Sequence, residues 1–484
     1  MVTGQRLRPS VLLAVGWLAY FTALQWSVVR FEVLIVVTLT VCALGLTVWQ
    51  VRRQRVELTP RAVAPMLVGS AAATLLVPLF SYLDPTGSAI ARALLIVGPV
   101  AAAALLWTGR ARAAWAALAV SVSAYVSMGA LAVLGDPAPR IDVWVMLQQA
   151  SDALASGVNF YDLTWSGSPG VPDAFTYLPW TAVLLAPGRW LAGDVRWALL
   201  GWTLVAALGA WLLANTAAAG HAGRSEAGAH GRGGSHPSAE PNADPVSADI
   251  PSRTWLGTAV VALLLFAPGT LTQVDQAWTE PLLLAGLVWW AVLVHRGQAW
   301  WAVIPLALAC ASKQHLALLL PVLMLWRPFG MRRAVTTGAL TAVLIAPWFL
   351  AGPADFVHDT ITLLVSFHAI LFANTWYLLA LNVFGVELPF WITGLIVLGA
   401  LTAIALTVRR RQPDLGELLR WLALLLLVAN LVNKQAFYNQ FWLSGALVVV
   451  SLALPVRRPG PLPPTDAQAP DGDVVAPADV GPPS

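Results

Sequence analysis

Long apolar stretches constrain this chain more than any other feature of its sequence. Runs such as 11–29, 62–80, 113–134 and 197–217 each approach the ~20 residues that an α-helix needs to cross a bilayer. Only 11% of the 484 residues are charged, whereas a soluble domain carries about 25%. We therefore expect an all-α polytopic membrane protein, and a water-soluble enzyme is excluded.

The basic residues of the chain are almost all arginines. The formal net charge is +4, and 26 of the 28 basic residues are Arg. They occur in pairs and triplets between apolar runs and form no basic face, which indicates positive-inside topology and no nucleic-acid partner. Cys42 and Cys310 both fall inside apolar runs and are interpreted as packing residues.

The positions of the arginines also set the predicted topology. The segment 177–192 is short and contains Pro179 and Pro187. If it crossed the membrane, thirteen later arginines would face outward, so we interpret it as a helix in the outer interface. The sequence then predicts about 14 transmembrane helices, with both termini cytoplasmic, in the cell membrane. The predicted spans are 11–28, 33–49, 62–80, 90–108, 113–134, 197–217, 254–272, 281–295, 298–311, 315–326, 334–350, 388–408, 416–432 and 441–456.

Composition divides the chain into three parts. Residues 1–112 form a predicted N-terminal membrane segment of four helices, and residues 113–456 form a second membrane domain. This second domain contains a long outer loop at 135–196. It also contains a cytoplasmic linker at 218–253, which is rich in Gly, Ala, Ser, His and Pro. The Pro- and Asp-rich segment 457–484 is predicted to be a disordered cytoplasmic tail.

Polar residues gather at one level, the predicted outer ends of the spans. Ionisable groups at membrane depth are costly, and where they occur they are usually functional. The spans themselves are nearly free of charge. The residues at this level are Asp142, Tyr161, Asp162, Tyr177, Asp275, Gln276, Glu280, Lys313, Gln314, His315, His358, Asp359, His368, Asn374, Asn433, Lys434, Gln435, Tyr438 and Asn439.

The two lysines of the chain both belong to this set. Each is followed by glutamine, as Lys313-Gln314 and Lys434-Gln435. A lysine on the outer side is unexpected for two reasons. All other basic residues of the chain are arginines, and basic residues favour the cytoplasmic side. An ammonium group at this interface suits an anionic lipid phosphate, and anchoring to ordinary head groups is the open alternative.

Asp142 begins a stretch with the pattern of an amphipathic surface helix. Its carboxylate is a candidate base at the membrane edge, while an N-cap worth about 1 kcal/mol is the structural alternative. The spacing of His358 and His368 matches no recognised zinc pattern. We therefore predict neither a metal site nor a cofactor.

Several short motifs occur in a fixed order on the same predicted side of the membrane. They are Asp142 after a span, the segment 157–161, the segment 175–180, Gln276 after a short apolar span, and Lys313-Gln314. In this order they resemble the polyprenyl-phosphate-sugar-dependent glycosyltransferases of the class C fold. The likeness is in particular to the bacterial α-mannosyltransferases and covers roughly residues 113–456. The four N-terminal spans and the lack of paired acidic residues or a double proline depart from that pattern.

The resemblance implies a reaction and roles for individual residues. Such enzymes take a sugar from a polyprenyl-phosphate donor in the outer leaflet and transfer it, with inversion, to a hydroxyl of a glycolipid or glycan acceptor. Asp142 corresponds to the general base, and the donor phosphate is held by Lys313, His315 and Lys434. The substrate-binding set implied by the resemblance is completed by Gln276, Gln314, Tyr161, Tyr177 and Tyr438; for the three tyrosines, core packing stays an alternative.

Two other classes of function stay open from the sequence. A transporter or flippase of a lipid-linked saccharide is expected to show internal repeats and polar groups at the bilayer midplane, and we find neither. A membrane scaffold for cell-envelope assembly does not need lysines and a carboxylate at one surface. Mannose is the expected sugar, and arabinofuranose or another polyprenyl-linked sugar is the alternative.

Overall fold

The computed structural model describes residues 9–54, 56–216 and 252–454. Within these ranges the chain is helical and contains no β-strand. The predicted tail at 457–484 lies outside the described residues, as does the predicted linker apart from Ser252 and Arg253.

Twenty α-helices make up the described part of the chain. They are α1 (Pro9–Trp26), α2 (Val33–Arg52), α3 (Pro60–Leu76), α4 (Pro85–Trp107), α5 (Ala111–Gly135), α6 (Asp142–Ala155), α7 (Trp180–Ala192), α8 (Arg196–Thr216), α9 (Arg253–Leu265), α10 (Thr270–Asp275), α11 (Glu280–His295), α12 (Val303–Cys310), α13 (Leu320–Leu325), α14 (Gly330–Ala351), α15 (Pro353–Val357), α16 (Leu363–Ser366), α17 (Trp376–Phe384), α18 (Phe390–Arg411), α19 (Leu415–Val432) and α20 (Tyr438–Ser451). Shorter helical turns lie at Phe160–Asp162, His358–Thr362 and Gln314–Leu319.

Eight of the described helices are long and apolar enough to cross a membrane, and this makes the chain a helical membrane protein. They are α1, α2, α4, α5, α8, α14, α18 and α19. The other predicted spans form shorter pieces. The predicted span 254–272, for example, is interrupted after Leu265, because Pro268 lacks an N–H and Gly269 has a φ of +82°. The total of fourteen spans stays a prediction.

The helices differ strongly in burial. In α19, 83% of the apolar window is buried, whereas the corresponding figures for α14 and α18 are 11% and 17%. The central helices α9, α11, α19 and α20 supply most of the large core. The outward side chains of α14 and α18 face the surroundings of the protein, where a bilayer would supply their apolar contacts.

The amphipathic helix predicted from Asp142 is α6, and the helix predicted within 177–192 is α7. These two helices share a second, smaller core that includes Leu147, Phe160 and Leu185. Gln148 of α6 fastens this pair by donating from Nε2 to the Gly193 carbonyl at 3.2 Å.

Arg196 ties this layer to the long helices. Its side chain is fully buried, and its guanidinium forms an ion pair with Asp194 at 2.7 Å. The same guanidinium donates to the carbonyls of Ala132 and Val133 near the end of α5. A buried charge needs such a full set of partners, so Arg196 fixes α7 and the start of α8 against α5.

Candidate functional site

The polar cluster of the structure lies where four separate segments meet. These are the start of α11, the turn between α12 and Leu320, the loop before α7, and the start of α20. Each contributes at least one polar side chain that is buried or half-buried.

Glu280 is the centre of this cluster. It is fully buried, and it forms an ion pair with the Nζ of Lys313 through its Oε1. Its second oxygen accepts a hydrogen bond from Asn439 Nδ2 at 2.8 Å. Because a buried carboxylate is tolerated only with a cation and further donors, these three side chains depend on one another.

Asn439 keeps one acceptor free. Its Oδ1 is buried and has no hydrogen-bond partner among the described residues. A buried polar atom without a partner is costly, so a ligand hydroxyl or amide would find a ready acceptor there. Sequence reasoning noted Glu280 and Asn439 among the outer polar residues but did not select either as a site residue. The available signal was that an acidic residue, Glu280, and one of the two lysines of the sequence, Lys313, both stand at the ends of neighbouring predicted spans.

Tyr177 lies between this ion pair and Asp142. Lys313 Nζ is 5.3 Å from the centre of its ring, a cation–π distance. Burial, followed by the charges of Glu280 and Asp142, raises the pKa of the Tyr177 phenol well above its usual value. The Tyr161 hydroxyl donates to the Tyr177 carbonyl at 2.8 Å. Of these two predicted tyrosines, Tyr177 therefore lies at the site, and Tyr161 supports the backbone of Tyr177.

The loop before α7 is paired to the turn that precedes Lys313. The N–H of Leu178 donates to the Ser312 carbonyl at 3.2 Å, and the Thr181 hydroxyl donates to the same carbonyl at 2.6 Å. Gln314 Nε2 donates to the carbonyls of Thr176 and Thr360, each at 3.1 Å. The predicted Gln314 therefore positions the loop, and its amide nitrogen is already engaged.

Asp142 is the first residue of α6 and is half-buried. Its Oδ1 accepts only from the adjacent Val143 N–H at 2.8 Å, so it does not cap the second or third residue of the helix. Among the described residues no cation pairs with it. Burial raises the pKa of this carboxyl group above its usual value. The backbone of Gly170 covers the other oxygen so closely that a Cβ there would lie 2.5 Å from Oδ2.

A second buried carboxyl group is that of Asp275. Asp275 accepts from Ser81 Oγ at 3.1 Å and from Gln276 Nε2 at 2.7 Å. Burial raises the pKa of Asp275 to about 6, although these two hydrogen bonds oppose the shift. The predicted site residue Gln276 is therefore bound to its own neighbour. Burial, followed by the charge of Asp275, raises the pKa of the Tyr82 phenol, whose hydroxyl donates to the Arg140 carbonyl at 3.0 Å.

The remaining predicted residues divide into near and distant ones. His315 follows the ion-paired Lys313 by two residues. Tyr438 is buried and stacks on Trp278 with ring centres 5.2 Å apart, which favours the packing role left open for it. Lys434 is not brought to the cluster: its Nζ donates to the carbonyls of Val365 and Phe367 at 2.6 Å each. The expectation that Lys434 holds the donor phosphate together with Lys313 stays a prediction, which these contacts do not support.

His358 and Asp359 form a pair next to the loop that precedes α7. His358 Nδ1 lies 3.0 Å from Asp359 Oδ1, and Asp359 Oδ2 accepts from the Phe175 N–H at 2.7 Å. The pair therefore anchors the loop that carries Tyr177. Within the described ranges, no group of three or more His, Cys, Asp or Glu side chains is arranged to hold a metal ion.

Comparison with known proteins does not assign the chain to a family. No family model matches the sequence, and no curated protein matches it. The geometry of the residues described above therefore carries the functional proposal.

Proposed function

We propose that this chain is an integral membrane glycosyltransferase. It transfers a sugar, with mannose as the expected one, from a polyprenyl-phosphate donor to a hydroxyl of a glycolipid or glycan acceptor. The observation that carries the proposal is Asp142: its carboxylate is half-buried, pairs with no cation in the described part of the chain, has a raised pKa, and lies beside a buried polar cluster. A base poised in this way suits proton removal from a hydroxyl group.

In this mechanism the acceptor oxygen attacks the anomeric carbon from the face opposite the phosphate. Asp142 takes the acceptor proton as the new carbon–oxygen bond forms. The bond from the anomeric carbon to the phosphate oxygen breaks, and the polyprenyl phosphate leaves with the electron pair. This in-line displacement inverts the anomeric centre.

Lys313 supports the leaving phosphate in this proposal. An ammonium group has three N–H donors. One donates to Glu280 and a second points toward Thr279 Oγ1 at 3.4 Å, which leaves one for a phosphate oxygen. Charge that develops on a leaving group is stabilised most by donors that are already oriented. The free Oδ1 of Asn439 is the acceptor for a sugar hydroxyl.

The proposal includes the predicted topology of about fourteen spans, cytoplasmic termini and an outer-face site. Contacts between distant helix ends support two separate polar levels. At one level Ser81 contacts Asp275, and Asn374 Nδ2 donates to the Arg30 carbonyl at 2.6 Å. At the other, Arg420 contacts Gln50.

The test is transfer of radiolabelled mannose from polyprenyl-phosphate-mannose in membranes that contain the protein. We expect Asp142→Asn to lower the transfer rate by the ~10²–10⁴ typical of lost general-base catalysis. Asp152→Asn is the matched control, because Asp152 lies on the same helix in an exposed ion pair with Arg189. Such pairs contribute little, so this variant should stay near wild type.

The outcomes separate the functional classes. Equal transfer by wild type and Asp142→Asn would refute the catalytic assignment. If neither this donor nor polyprenyl-phosphate-arabinose is used, while vesicles translocate a lipid-linked saccharide, the transporter or flippase replaces the proposed function.

A further inference from the structure

A cavity lies away from the Asp142 cluster, between α1, α2, α19 and α20. It has a volume of about 670 Å³ and is lined mainly by apolar side chains. Its walls extend along α1 from Pro9 to Phe21, which corresponds to about 18 Å at 1.5 Å per residue. A groove of this length and character accommodates a hydrocarbon chain.

A smaller polar pocket of about 230 Å³ adjoins the groove at the end of α2. Trp49 and Gln54 line both cavities. The apolar groove and the polar pocket are therefore adjacent, an arrangement that suits the two parts of an amphipathic molecule.

The polar pocket has both signs of charge in its walls. Arg53 and Arg420 supply two cations, and Asp414 and Glu417 supply two anions. Arg420 is largely buried, yet its guanidinium makes one hydrogen bond, from Nε to Gln50 Oε1 at 2.8 Å. It also lies 4.7 Å from the ring centre of Trp49. No carboxylate in the described chain lies within ion-pair distance of it.

We infer that this composite cavity binds a phospholipid with a zwitterionic phosphoethanolamine head group. The phosphate lies against Arg53 and Arg420, the ammonium lies against Asp414 and Glu417, and one acyl chain fills the groove. A primary ammonium donates hydrogen bonds to carboxylates, which a trimethylated choline cannot do. An anionic head group without an amine would leave both carboxylates facing a like charge.

Gly45 allows the groove to be filled without distorting the protein. A Cβ added at Gly45 of α2 would meet no atom within 4 Å, although Gly45 lines the groove. Leucine at this position projects into the space that the acyl chain occupies, and it also favours the helix. Gly399 of α18 has equally open surroundings but does not line the groove. Gly399→Leu is therefore a matched control for Gly45→Leu.

The test uses the purified full-length protein and phosphatidylethanolamine with a photoactivatable acyl chain. We expect crosslinks on peptides of α1 and α2, reduced at least fivefold in Gly45→Leu and unchanged in Gly399→Leu. If Gly45→Leu labels like the wild type, the groove holds only exchanging bulk lipid and the inference is overturned.

The head group is tested with the same chain on choline and glycerol head groups. We expect the ethanolamine probe to label most strongly, and Glu417→Gln to reduce its advantage over the glycerol probe. Equal labelling by all three probes, or a preference of the wild type for the anionic one, overturns the zwitterionic assignment. None of these outcomes depends on sugar transfer.

Discussion

Two carboxylates of the candidate site, Glu280 and Asp142, are held in opposite ways. Glu280 is fully buried and has partners on both oxygens, from Lys313 and Asn439. Asp142 is half-buried and receives only the N–H of the next residue. Residue type alone would make them equivalent candidates for a base, but their surroundings assign one to structure and leave the other free to exchange a proton.

The difference has a simple electrostatic origin. Both oxygens of Glu280 are already engaged, one by the Lys313 ammonium and the other by the Asn439 amide, so neither is open to a substrate hydroxyl. Burial without a cation disfavours the charged form of Asp142 and raises its pKa. The same site therefore combines a fixed ion pair that organises four segments with a carboxylate that can gain or lose a proton.

The largest expected effect comes from breaking the ion pair. Lys313→Met leaves the Glu280 charge buried without a cation, and the loss of one partner of a buried pair costs about 3–5 kcal/mol. We expect a strongly lowered apparent Tm in detergent. Lys434→Met is the control, because it removes the only other lysine from a position outside the cluster.

A second substitution distinguishes charge from packing. If burial of an uncompensated charge causes the loss, the double variant Lys313→Met/Glu280→Gln should recover part of the lowered Tm. A double variant that is no more stable than Lys313→Met would show that Lys313 acts through packing alone.

The next effect concerns the close cover over Asp142. In Gly170→Ala the new methyl group would lie 2.5 Å from Oδ2 and must displace the carboxylate or the loop. Gly170 lies in an exposed loop that can shift at little cost in stability, but a catalytic group misplaced by about 1 Å can lower the rate by up to about 10²-fold. We expect sugar transfer to fall about tenfold with little change in Tm. Gly201→Ala, where nothing lies within 4 Å of the new atom, should transfer at the wild-type rate.

The pH dependence of sugar transfer should report the ionisation of Asp142. Because burial raises the pKa of Asp142, its base form is lost as pH falls through a value above the usual one near 3.8. We expect transfer to rise with pH and then reach a plateau. The residual activity of Asp142→Asn should lack this acidic limb, and an identical limb in that variant would assign the titration to another group.

The smallest effect is expected at Asp275. Like Glu280 it is buried and accepts hydrogen bonds from other side chains, and like Asp142 it forms no ion pair among the described residues. Its folded-state pKa of about 6 exceeds the usual value of 3.8, so the folded chain keeps a proton that the unfolded chain has released. Stability therefore falls as pH rises between these values. Asp275→Asn removes the dependence, and we expect it to be more stable than wild type at pH 8, by at most about 3 kcal/mol, the value to which a shift of about two pKa units corresponds. The Tm difference should vanish at pH 4; a difference that does not change with pH would contradict this.

Much of the architecture follows from local sequence. The long apolar runs predicted helices that the structure contains, and the amphipathic pattern from Asp142 predicted α6. These features depend on periodicity and length within one segment, so no knowledge of neighbours is needed. The outer polar residues were likewise visible because charge is rare in such a chain.

Partners between segments could not be predicted in this way. Glu280 and Lys313 are 33 residues apart, and Asn439 lies a further 126 residues along the chain, so nothing local pairs them. Lys434 repeats the Lys-Gln dipeptide of Lys313 and yet donates to backbone carbonyls elsewhere. The two identical Lys-Gln dipeptides lie in different surroundings because the helices pack differently around them.

The sequence by itself determined that the chain forms apolar helices and that polar residues gather at particular span ends, since composition and period set these properties. Only the tertiary structure decided which helices form the core. The apolar windows of α19 and α14 have mean hydropathies of 1.9 and 1.7, yet 83% of one and 11% of the other is buried. In a bilayer both lipid and protein provide apolar contacts, so hydropathy cannot distinguish a central helix from a peripheral one, and only side-chain packing between helices does.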